Sequence, residues 1–502
     1  MITQRGAWYK ASILLVVLMI AAACGSANSG TQPTYPAAPV EDTPAPTAAA
    51  QATSAAASTS VPATPQRTTV VARVGEPVAL RDDISIRKIL ETGGGFVRLK
   101  RDPSTNTVYY MDAKTNIYRL DLEADPPAGV QVYKAADVGV DETFVASGLA
   151  FSKDGVIYVL GNIADEARTH MLIRKGTPNA DGTRTWVTLA SSEPYEKSNT
   201  QFDHVFNGMA VSPDGSYLII NSGSRTDHGE VQAAKGLYPD TREVPLTASI
   251  FRVPTDKTDQ MLPNDNAKLE EQGFVYARGT RNSYDPAFAP NGDLFAADNG
   301  PDADYPDEFN WLQEGHHYGF PWRLSIFDNP QRSPDYDPTK DKRLPPEFFA
   351  IQTGSYANDP TYPPPPEGVT FTDPIPNEGP DANIVRADDG SEYRASDRGE
   401  MAYSLTPHRS GLGLNFDVDN ALGGDLTGDG LMLSWGAAAG TISDPGRDLL
   451  HVKLLKNNDQ YTVQMTQLAV GFDHPVDGAL VGKKMYVLDY NNKGSIWEVT
   501  LP

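Results

Sequence analysis

The sequence has very little cysteine and comparatively few basic residues. Its one cysteine in 502 residues, Cys24, excludes an intrachain disulfide. The 42 Lys and Arg residues stand against 65 Asp and Glu residues, which gives a formal net charge of -23. Because nucleic-acid phosphates bind basic surfaces, this charge balance argues against nucleic acid as a partner. The balance is typical of a soluble, self-repelling extracytoplasmic protein.

The apolar segment at the N-terminus is too short to span a membrane stably. It covers residues 11–20 and follows the basic residues Arg5 and Lys10, as in a secretory signal. Small residues at 21–23 precede Cys24, a pattern that resembles a bacterial lipobox, whose cysteine is lipidated. We therefore expect a lipoprotein signal peptide over residues 1–23 and a lipid anchor at Cys24, on the extracytoplasmic side of a bacterial membrane in the cell envelope. An ordinary cleaved signal with an incidental cysteine is the alternative.

Residues 24–74 lack the apolar side chains that a folded core requires. They are rich in Ala, Pro, Thr and Ser, so burial cannot offset the entropy lost on ordering. The prolines favour an extended, polyproline-like geometry. We expect a disordered tether that holds the following domain, residues 75–502, away from the membrane.

Turn-forming and aromatic residues are abundant, with 43 Gly, 40 Pro and 22 Tyr, which favours a turn-rich β protein. One unit recurs along the domain: a strand, an Asp-Gly or Asn-Gly turn, and a second strand. Its six copies, three clear and three weaker, lie at residues 97–120, 148–160, 208–220, 285–297, 411–433 and 475–499.

Six copies of one hairpin predict an all-β fold, a six-bladed β-propeller in which each copy starts one blade. The strand near residues 84–89 is expected to complete the last blade and lock the ring. A β-sandwich is the competing fold, but a sixfold repeat of one unit disfavours it.

Two insertions interrupt the hairpin repeat, at residues 226–247 and 324–404. Because long loops are often functional lids, we expect the second insertion to pack over one mouth of the propeller, with surface decoration as the alternative.

A strand at residues 293–298 ends at Asn299-Gly300-Pro301, where the backbone leaves the sheet. Carbonyl oxygens freed from the sheet can face a cation, and acidic residues follow at once. Calcium binds such mixtures of carbonyl and carboxylate oxygens. The acidic residues are Asp302, Asp304, Asp307 and Glu308. A solvated acidic loop is the alternative interpretation.

Several short motifs together resemble the glucose/sorbosone dehydrogenase family. They are residues 279–282, Gly300-Pro301, Asp307-Glu308, Asn310 and residues 318–321. The resemblance extends over about residues 80–502 and is strongest in 200–322 and 403–500. It implies a six-bladed β-propeller that binds pyrroloquinoline quinone (PQQ) and calcium, oxidises a sugar and passes electrons to an acceptor.

Sugar oxidation requires a base for the hydroxyl proton, and histidine is suited to this near neutral pH. His204 lies just before the first strand of the third repeat, where it should face the channel mouth. The family's catalytic base precedes the same strand, so the resemblance implies this role for His204. A structural role is the alternative. His408 is a candidate substrate contact, or a satisfied loop histidine.

The resemblance implies that Arg281 and Asn282 contact PQQ, with Tyr284 where the family usually has Gln. The carbonyls of Gly300 and Pro301 would hold calcium. Asp307 and Glu308 would either bind that metal or support its loop by hydrogen bonds.

The cofactor pocket departs from the family pattern at several positions. His474 stands where an arginine is usual, residues 437–439 are all Ala, and Ser224 replaces an acidic residue. Fewer cations weaken the binding of a trianion such as PQQ. Arg225, Arg409 and Lys493 are possible substitutes.

Two function classes follow from these motifs. The first is a PQQ-dependent sugar dehydrogenase acting on an aldose or sorbosone. The second is a non-catalytic propeller lipoprotein that binds carbohydrate or protein. A metal-dependent lactonase-type propeller is a third and more distant reading.

Overall fold

The computed structural model describes residues 72–436, 442–490 and 493–502. The signal peptide, Cys24 with its lipid anchor, and the tether as far as residue 71 lie outside the described residues and stay predictions. Within the described ranges, no helix has the length and apolar character needed to cross a membrane.

The described chain consists mainly of β-strands joined by turns and loops. The strands, in chain order, are β1 Val78–Ala79, β2 Ser85–Glu91, β3 Phe96–Asp102, β4 Thr107–Asp112, β5 Ile117–Asp121, β6 Ala128–Tyr133, β7 Phe144–Phe151, β8 Ile157–Ala164, β9 Arg168–Pro178, β10 Arg184–Ser192, β11 Tyr195–Glu196, β12 Phe206–Val211, β13 Tyr217–Ser222, β14 Ser249–Pro254, β15 Gln260–Leu262, β16 Val275–Arg278, β17 Ala287–Phe288, β18 Leu294–Asp298, β19 Glu308–Leu312, β20 Arg323–Leu324, β21 Phe327–Asp328, β22 Asn377–Pro380, β23 Ile384–Arg386, β24 Glu392–Arg394, β25 Gly411–Phe416, β26 Gly430–Ser434, β27 Asp448–Asn457, β28 Gln460–Val470, β29 Pro475–Val481, β30 Lys484–Asp489 and β31 Ser495–Thr500. The α-helices are short: α1 Ala135–Val138, α2 Asn266–Glu271 and α3 Phe349–Gln352. Single 3₁₀ turns cover Ala234–Gly236, Pro330–Arg332, Ala395–Arg398 and Gly424–Leu426.

The strands form the six blades of a β-propeller, as the repeat predicted. Blade 1 contains β3–β6, blade 2 β7–β10, blade 3 β12–β14 with β16, blade 4 β17–β19, blade 5 β25–β28, and blade 6 β29–β31 with β2. Blades 2 and 5 carry additional edge strands, β11 and β15 on the former, β1 and β22 on the latter. Each of the six hairpin copies found in the sequence supplies the first two strands of one blade.

A strand from the N-terminal end of the domain closes the ring. β2 pairs antiparallel with the C-terminal strand β31, from Ser85 opposite Thr500 to Glu91 opposite Ser495. The predicted locking strand near residues 84–89 is therefore confirmed. Because the last blade combines both ends of the domain, opening the ring requires breaking a full ladder of backbone hydrogen bonds.

The blades stack face to face, so strands within them are apolar on both faces. In β13, Ile220 packs into the cluster between blades 2 and 3, whereas its neighbour Ile219 packs into the cluster between blades 3 and 4. At the channel axis, the Lys100 ammonium group bonds the carboxylates of Asp285 and Asp477, each at 2.8 Å. Pairing compensates these charges, which would be costly to bury alone.

The two insertions meet and form a cap, defined here as residues 226–247 and 348–362. Arg242 pairs with Asp359 across them at 2.6 Å. The Tyr362 hydroxyl donates to the carbonyl of His228 at 3.1 Å. A later part of the second insertion, β22, runs parallel to β28 at the outer edge of blade 5. The second insertion thus decorates a blade edge and, through the cap, also covers the loops that precede the first strands of blades 3, 4 and 5.

Candidate functional site

The loops of blades 3 and 4 converge on one site. His204 precedes β12, Arg281 and Asn282 precede β17, and Asn299-Gly300-Pro301 follows β18. Ser224 connects them, because its carbonyl accepts the His204 N–H at 3.0 Å and its N–H donates to the Arg281 carbonyl at 2.7 Å. The Arg281 Nη1 then donates to the Asn299 carbonyl at 3.1 Å. Residues almost a hundred positions apart in sequence are therefore joined by one chain of hydrogen bonds.

The hydrogen bonds of His204 fix the tautomer of its imidazole ring. Its Nδ1 lies 3.1 Å from both the carbonyl oxygen and the hydroxyl oxygen of Ser224. That hydroxyl donates to the Thr226 carbonyl at 2.7 Å, and a carbonyl can only accept, so Nδ1 carries the proton. Nε2 then carries no hydrogen, and its lone pair is buried and without a partner among the described residues.

The imidazole of His204 is held in its neutral form. Burial, together with the positive charge of Arg281, lowers the pKa of His204 to about 3. Its residue exposure is only 3%. Nε2 of the ring is therefore unprotonated across the physiological pH range.

Arg281 is buried and ion-paired with Asp227, a residue of the cap that the sequence motifs did not single out. Its Nη2 bonds the Asp227 carboxylate at 2.8 Å, and its Nε bonds the Asp227 carbonyl at 2.7 Å. Nδ1 of His228 lies 2.8 Å from the other carboxylate oxygen. Burial raises the pKa of Asp227, but His228 and Arg281 outweigh it and bring that pKa to about 2. The charge of Arg281 is thus compensated within the protein.

Asp307 supports the loops of the site through hydrogen bonds. Its carboxylate accepts the N–H groups of Gly300 at 2.9 Å, His408 at 3.2 Å and Ser410 at 2.6 Å. The loop-supporting role considered for this residue is therefore present in the structure. Metal ligation by Asp307 stays a prediction.

A small cleft lies beside Arg281. Its lining includes Asp298, Asn299, Gly300, Pro301, Glu308 and Ser325. The buried Asn299 side chain has no partner for either its oxygen or its nitrogen within the described residues. Burial raises the pKa of Asp298 to about 7 and that of Glu308 to about 8, and proximity between the two carboxylates adds to the Glu308 shift.

This donor set suits a hard cation such as calcium. A bound cation would stabilise the ionised form of these carboxylates. It would also give the unsatisfied amide oxygen a partner. In the described ranges, however, no three or more His, Cys, Asp and Glu side chains are grouped so as to hold a metal. Calcium held by Gly300, Pro301 and Glu308 therefore depends on backbone carbonyls and stays a prediction.

Arg225 and Arg409, two of the three cations considered for the acidic end of PQQ, are used within the protein. Arg225 donates to five backbone carbonyls, such as Gln232 at 2.6 Å and Arg242 at 2.9 Å. Arg409 is paired with Asp444 and Asp448. The residues present therefore fit the quinone and calcium end of PQQ better than its three carboxylates.

Tyr284 and His474 also lie in local contacts. The Tyr284 ring packs 3.8 Å from the Arg98 guanidinium, and its hydroxyl reaches the Val97 carbonyl. His474 pairs with Asp473 at 2.9 Å and packs on Trp435 with ring centroids 4.6 Å apart. Their cofactor contacts stay predictions.

The cap covers the site. Tyr356 stacks on His228 with ring centroids 3.7 Å apart, and the Ala350 N–H donates to Asp302 at 3.0 Å. His408, which pairs with Asp304 at 2.8 Å, lies under the ring of Phe348. His408 therefore has the contacts of a satisfied loop histidine, and its contact with substrate stays a prediction. The composition of the insertions gave no signal for Asp227, His228 or Tyr356.

Comparison with known proteins agrees with these observations. The Glucose / Sorbosone dehydrogenase family model matches residues 114–341. A curated relative, quinoprotein glucose dehydrogenase B of Acinetobacter calcoaceticus, is 26% identical over 190 residues. That match spans 34% of this chain and 37% of the relative, so the chain matches little more than a third of the relative's length.

Among solved structures, the PQQ domain of pyranose dehydrogenase from Coprinopsis cinerea, in its holo form, superimposes with a TM-score of 0.52. The superposition has 12% identity and covers 85% of this chain and 97% of that domain, which supports the propeller fold. The family match contains His204, Arg281, Asn282 and the Gly300–Pro301 loop, whereas the expected similarity over 403–500 lies outside it. The resemblance of this chain to the glucose/sorbosone dehydrogenase family is therefore confirmed, with residues 114–341 as the matched part.

Proposed function

We propose that this protein is an oxidoreductase of the PQQ-dependent sugar dehydrogenase type, which oxidises a hydroxyl of an aldose or sorbosone-type sugar. One observation carries the proposal. His204, whose Nε2 is bare, is hydrogen-bonded through Ser224 to Arg281, and Arg281 in turn bonds the carbonyl of Asn299 at the start of the Asn299–Pro301 loop. Such a nitrogen, buried and without a partner among the described residues, is what a general base offers to a substrate hydroxyl.

Each of these residues has a defined part in the proposal. His204 takes the hydroxyl proton on Nε2, and its Nδ1–H on Ser224 holds the ring in place. Arg281 and Asn282 would hold the quinone oxygens of the cofactor, and Gly300, Pro301 and Glu308 would hold calcium. PQQ, when bound, supplies the ortho-quinone that accepts hydride. The cap covers the loops that carry these residues, and by limiting the access of water it would strengthen their polar contacts.

The compensation of Arg281 by Asp227 favours a second candidate function. A site whose cations are already paired gains less binding free energy from a trianion. Each charge-assisted hydrogen bond that it cannot form with the ligand forgoes about 1.5–3 kcal/mol. A propeller that keeps the fold but binds carbohydrate or protein without turnover fits that observation. In either case we propose that the protein is anchored through Cys24 in the cell envelope. The first function also requires an electron acceptor.

Reconstitution separates the two functions. The purified domain is incubated with PQQ and calcium, dialysed, and assayed with aldoses and an artificial electron acceptor. The dehydrogenase proposal expects saturable PQQ binding and sugar-dependent reduction of the acceptor, both lost when calcium is chelated. Sugar binding in calorimetry without PQQ uptake or turnover would instead support the binding propeller.

A further inference from the structure

Three buried asparagines connect the two halves of the site. Asn207 and Asn221 belong to blade 3, and Asn282 precedes blade 4. Their exposures are 6%, 0% and 1%. No sequence motif drew attention to Asn207 or Asn221, and the proposed chemistry does not use them directly.

The direction of each amide in this network is determined by the His204 backbone. The His204 carbonyl can only accept, so the group of Asn207 that faces it at 3.3 Å is its Nδ2. The Oδ1 of Asn207 is then left for the Nδ2 of Asn221, at 2.8 Å. Reversing Asn207 would place two oxygens against each other at His204 and two nitrogens against each other at Asn221.

The same argument extends to Asn282. Its Oδ1 accepts from Nδ2 of Asn207 at 2.8 Å and from Nδ2 of Asn221 at 3.3 Å. A reversed Asn282 would lose both bonds and oppose donors to donors, at a cost of about 1–3 kcal/mol for each buried group left unpaired. The Asn282 backbone is held as well, since its N–H donates to Asp298 and its carbonyl accepts from Asn299.

The close approach of His204 and Asn282 depends on a glycine between them. A Cβ atom at Gly223 would lie 2.4 Å from the Cβ of His204 and 3.0 Å from the Oδ1 of Asn282. Only a residue without a side chain allows this packing. The base and the amide are therefore held as one rigid unit.

We propose that Asn207 is a positioning residue, which fixes Asn282 so that its amide N–H₂ group faces the ligand beside the bare Nε2 of His204. His204 and Asn282 then recognise two groups of a ligand. One is a hydroxyl that donates to His204, and the other is an oxygen that accepts from Asn282. This inference rests on the proposed function for the identity of that oxygen, a quinone oxygen of PQQ. The direction of the amide itself follows from the hydrogen bonds alone.

Three variants test the role of Asn207. Asn207→Leu keeps the side-chain size but removes both donor and acceptor. Asn282→Asp keeps the oxygen that accepts from Asn207 and replaces the outward N–H₂ group by a second oxygen. Asn162→Leu is the matched control, because Asn162 is equally exposed at 6% and bonds the backbone of Phe206 without touching Asn282. PQQ affinity is measured by fluorescence titration of the calcium-loaded full domain.

We expect PQQ affinity to fall about tenfold or more in Asn207→Leu and further in Asn282→Asp, corresponding to the loss of one oriented hydrogen bond. Asn162→Leu should lose stability yet keep the wild-type affinity. Equal affinities for Asn207→Leu and Asn162→Leu would overturn the positioning role.

Neutron diffraction from deuterium-exchanged wild-type crystals tests the amide direction without any cofactor. The deuterons of Asn282 should lie on the atom directed away from Asn207. Deuterons directed toward Asn207 would overturn the inference even if the variants behaved as expected. A wild-type protein that binds no PQQ would refute the proposed function, while the neutron maps would still decide the direction of the amide.

Discussion

The loops of blades 3 and 4 and the loop of blade 6 approach the same mouth of the propeller, yet they differ in chemistry. In blades 3 and 4, His204, Ser224, Arg281 and Asn299 form one continuous hydrogen-bonded network. In blade 6, His474 has only local partners, Asp473, Asp489, Tyr490 and Trp435, within the described residues. The comparison indicates that the residues proposed to act as base and to hold the quinone are joined in one network, whereas the loop proposed to face the carboxylates of PQQ offers only locally paired groups.

The largest expected effect comes from changing His204, in the loops of blades 3 and 4. His204→Ala should lower kcat/KM by about 10²–10⁴-fold, because it removes the proton acceptor. PQQ should remain bound, since Arg281 and Asn282 are unchanged. His451→Ala is the matched control, because His451 is also buried and paired with Asp429 at 2.8 Å, but belongs to β27 outside the site. Equal losses in both variants would show that His204 is structural.

Arg281→Ala should reduce stability as well as cofactor affinity. It leaves Asp227 buried without its guanidinium partner, and breaking such a pair costs about 3–5 kcal/mol. Urea unfolding would measure the change. The double variant Arg281→Ala with Asp227→Asn removes both charges and should recover a large part of the loss. No recovery would show that the ion pair does not dominate the energetics of this site.

The pH dependence of stability tests the environment of His204. Its pKa is about 3 in the folded protein and about 6.5 when unfolded, so the unfolded chain binds a proton that the folded protein excludes. The stability due to neutral His204 is complete above pH 6.5 and is lost as the pH falls toward 3. At pH 4.5 wild type should have lost about 2–3 kcal/mol more than His204→Asn, relative to pH 7.5. Parallel pH profiles in urea unfolding would contradict the burial argument.

The smallest expected effect is a gain in PQQ affinity from a change in the loop of blade 6. His474→Arg introduces the cation that the family pattern has at this position, and it should strengthen PQQ binding by up to about tenfold. The side chain is partly exposed, so the gain is modest and should shrink as salt is added. Fluorescence titration at low and high ionic strength would measure it. An unchanged affinity would place the carboxylates of PQQ away from blade 6.

Much of the framework was predictable from local patterns. The hairpin copies marked the first two strands of every blade, and the strand near residues 84–89 was identified because a ring needs closure. Since inner strands start at one mouth, the position of His204 before β12 and of Arg281 before β17 also placed them together.

The cap was not predictable, because its contacts join segments distant in sequence without any repeat. Asp227 and Tyr356 lie in polar, proline-rich insertions whose composition is equally compatible with exposed loops. Asn207 was missed for a related reason: an asparagine in a strand has no periodic signal, and its role depends on the carbonyl it faces. The commitment of Arg225 and Arg409 to internal partners likewise became visible only in three dimensions.

The central claim is that the site formed by His204, Arg281 and the Asn299–Pro301 loop oxidises a sugar, and anaerobic reduction of the bound cofactor tests it most directly. The domain loaded with PQQ and calcium is mixed with an aldose in the absence of any acceptor, and the quinone absorbance is followed in wild type and His204→Ala. The account predicts rapid conversion of quinone to quinol in wild type and none in the variant, with PQQ bound in both. PQQ that stays oxidised in wild type with every sugar, or equal reduction in both proteins, would contradict it.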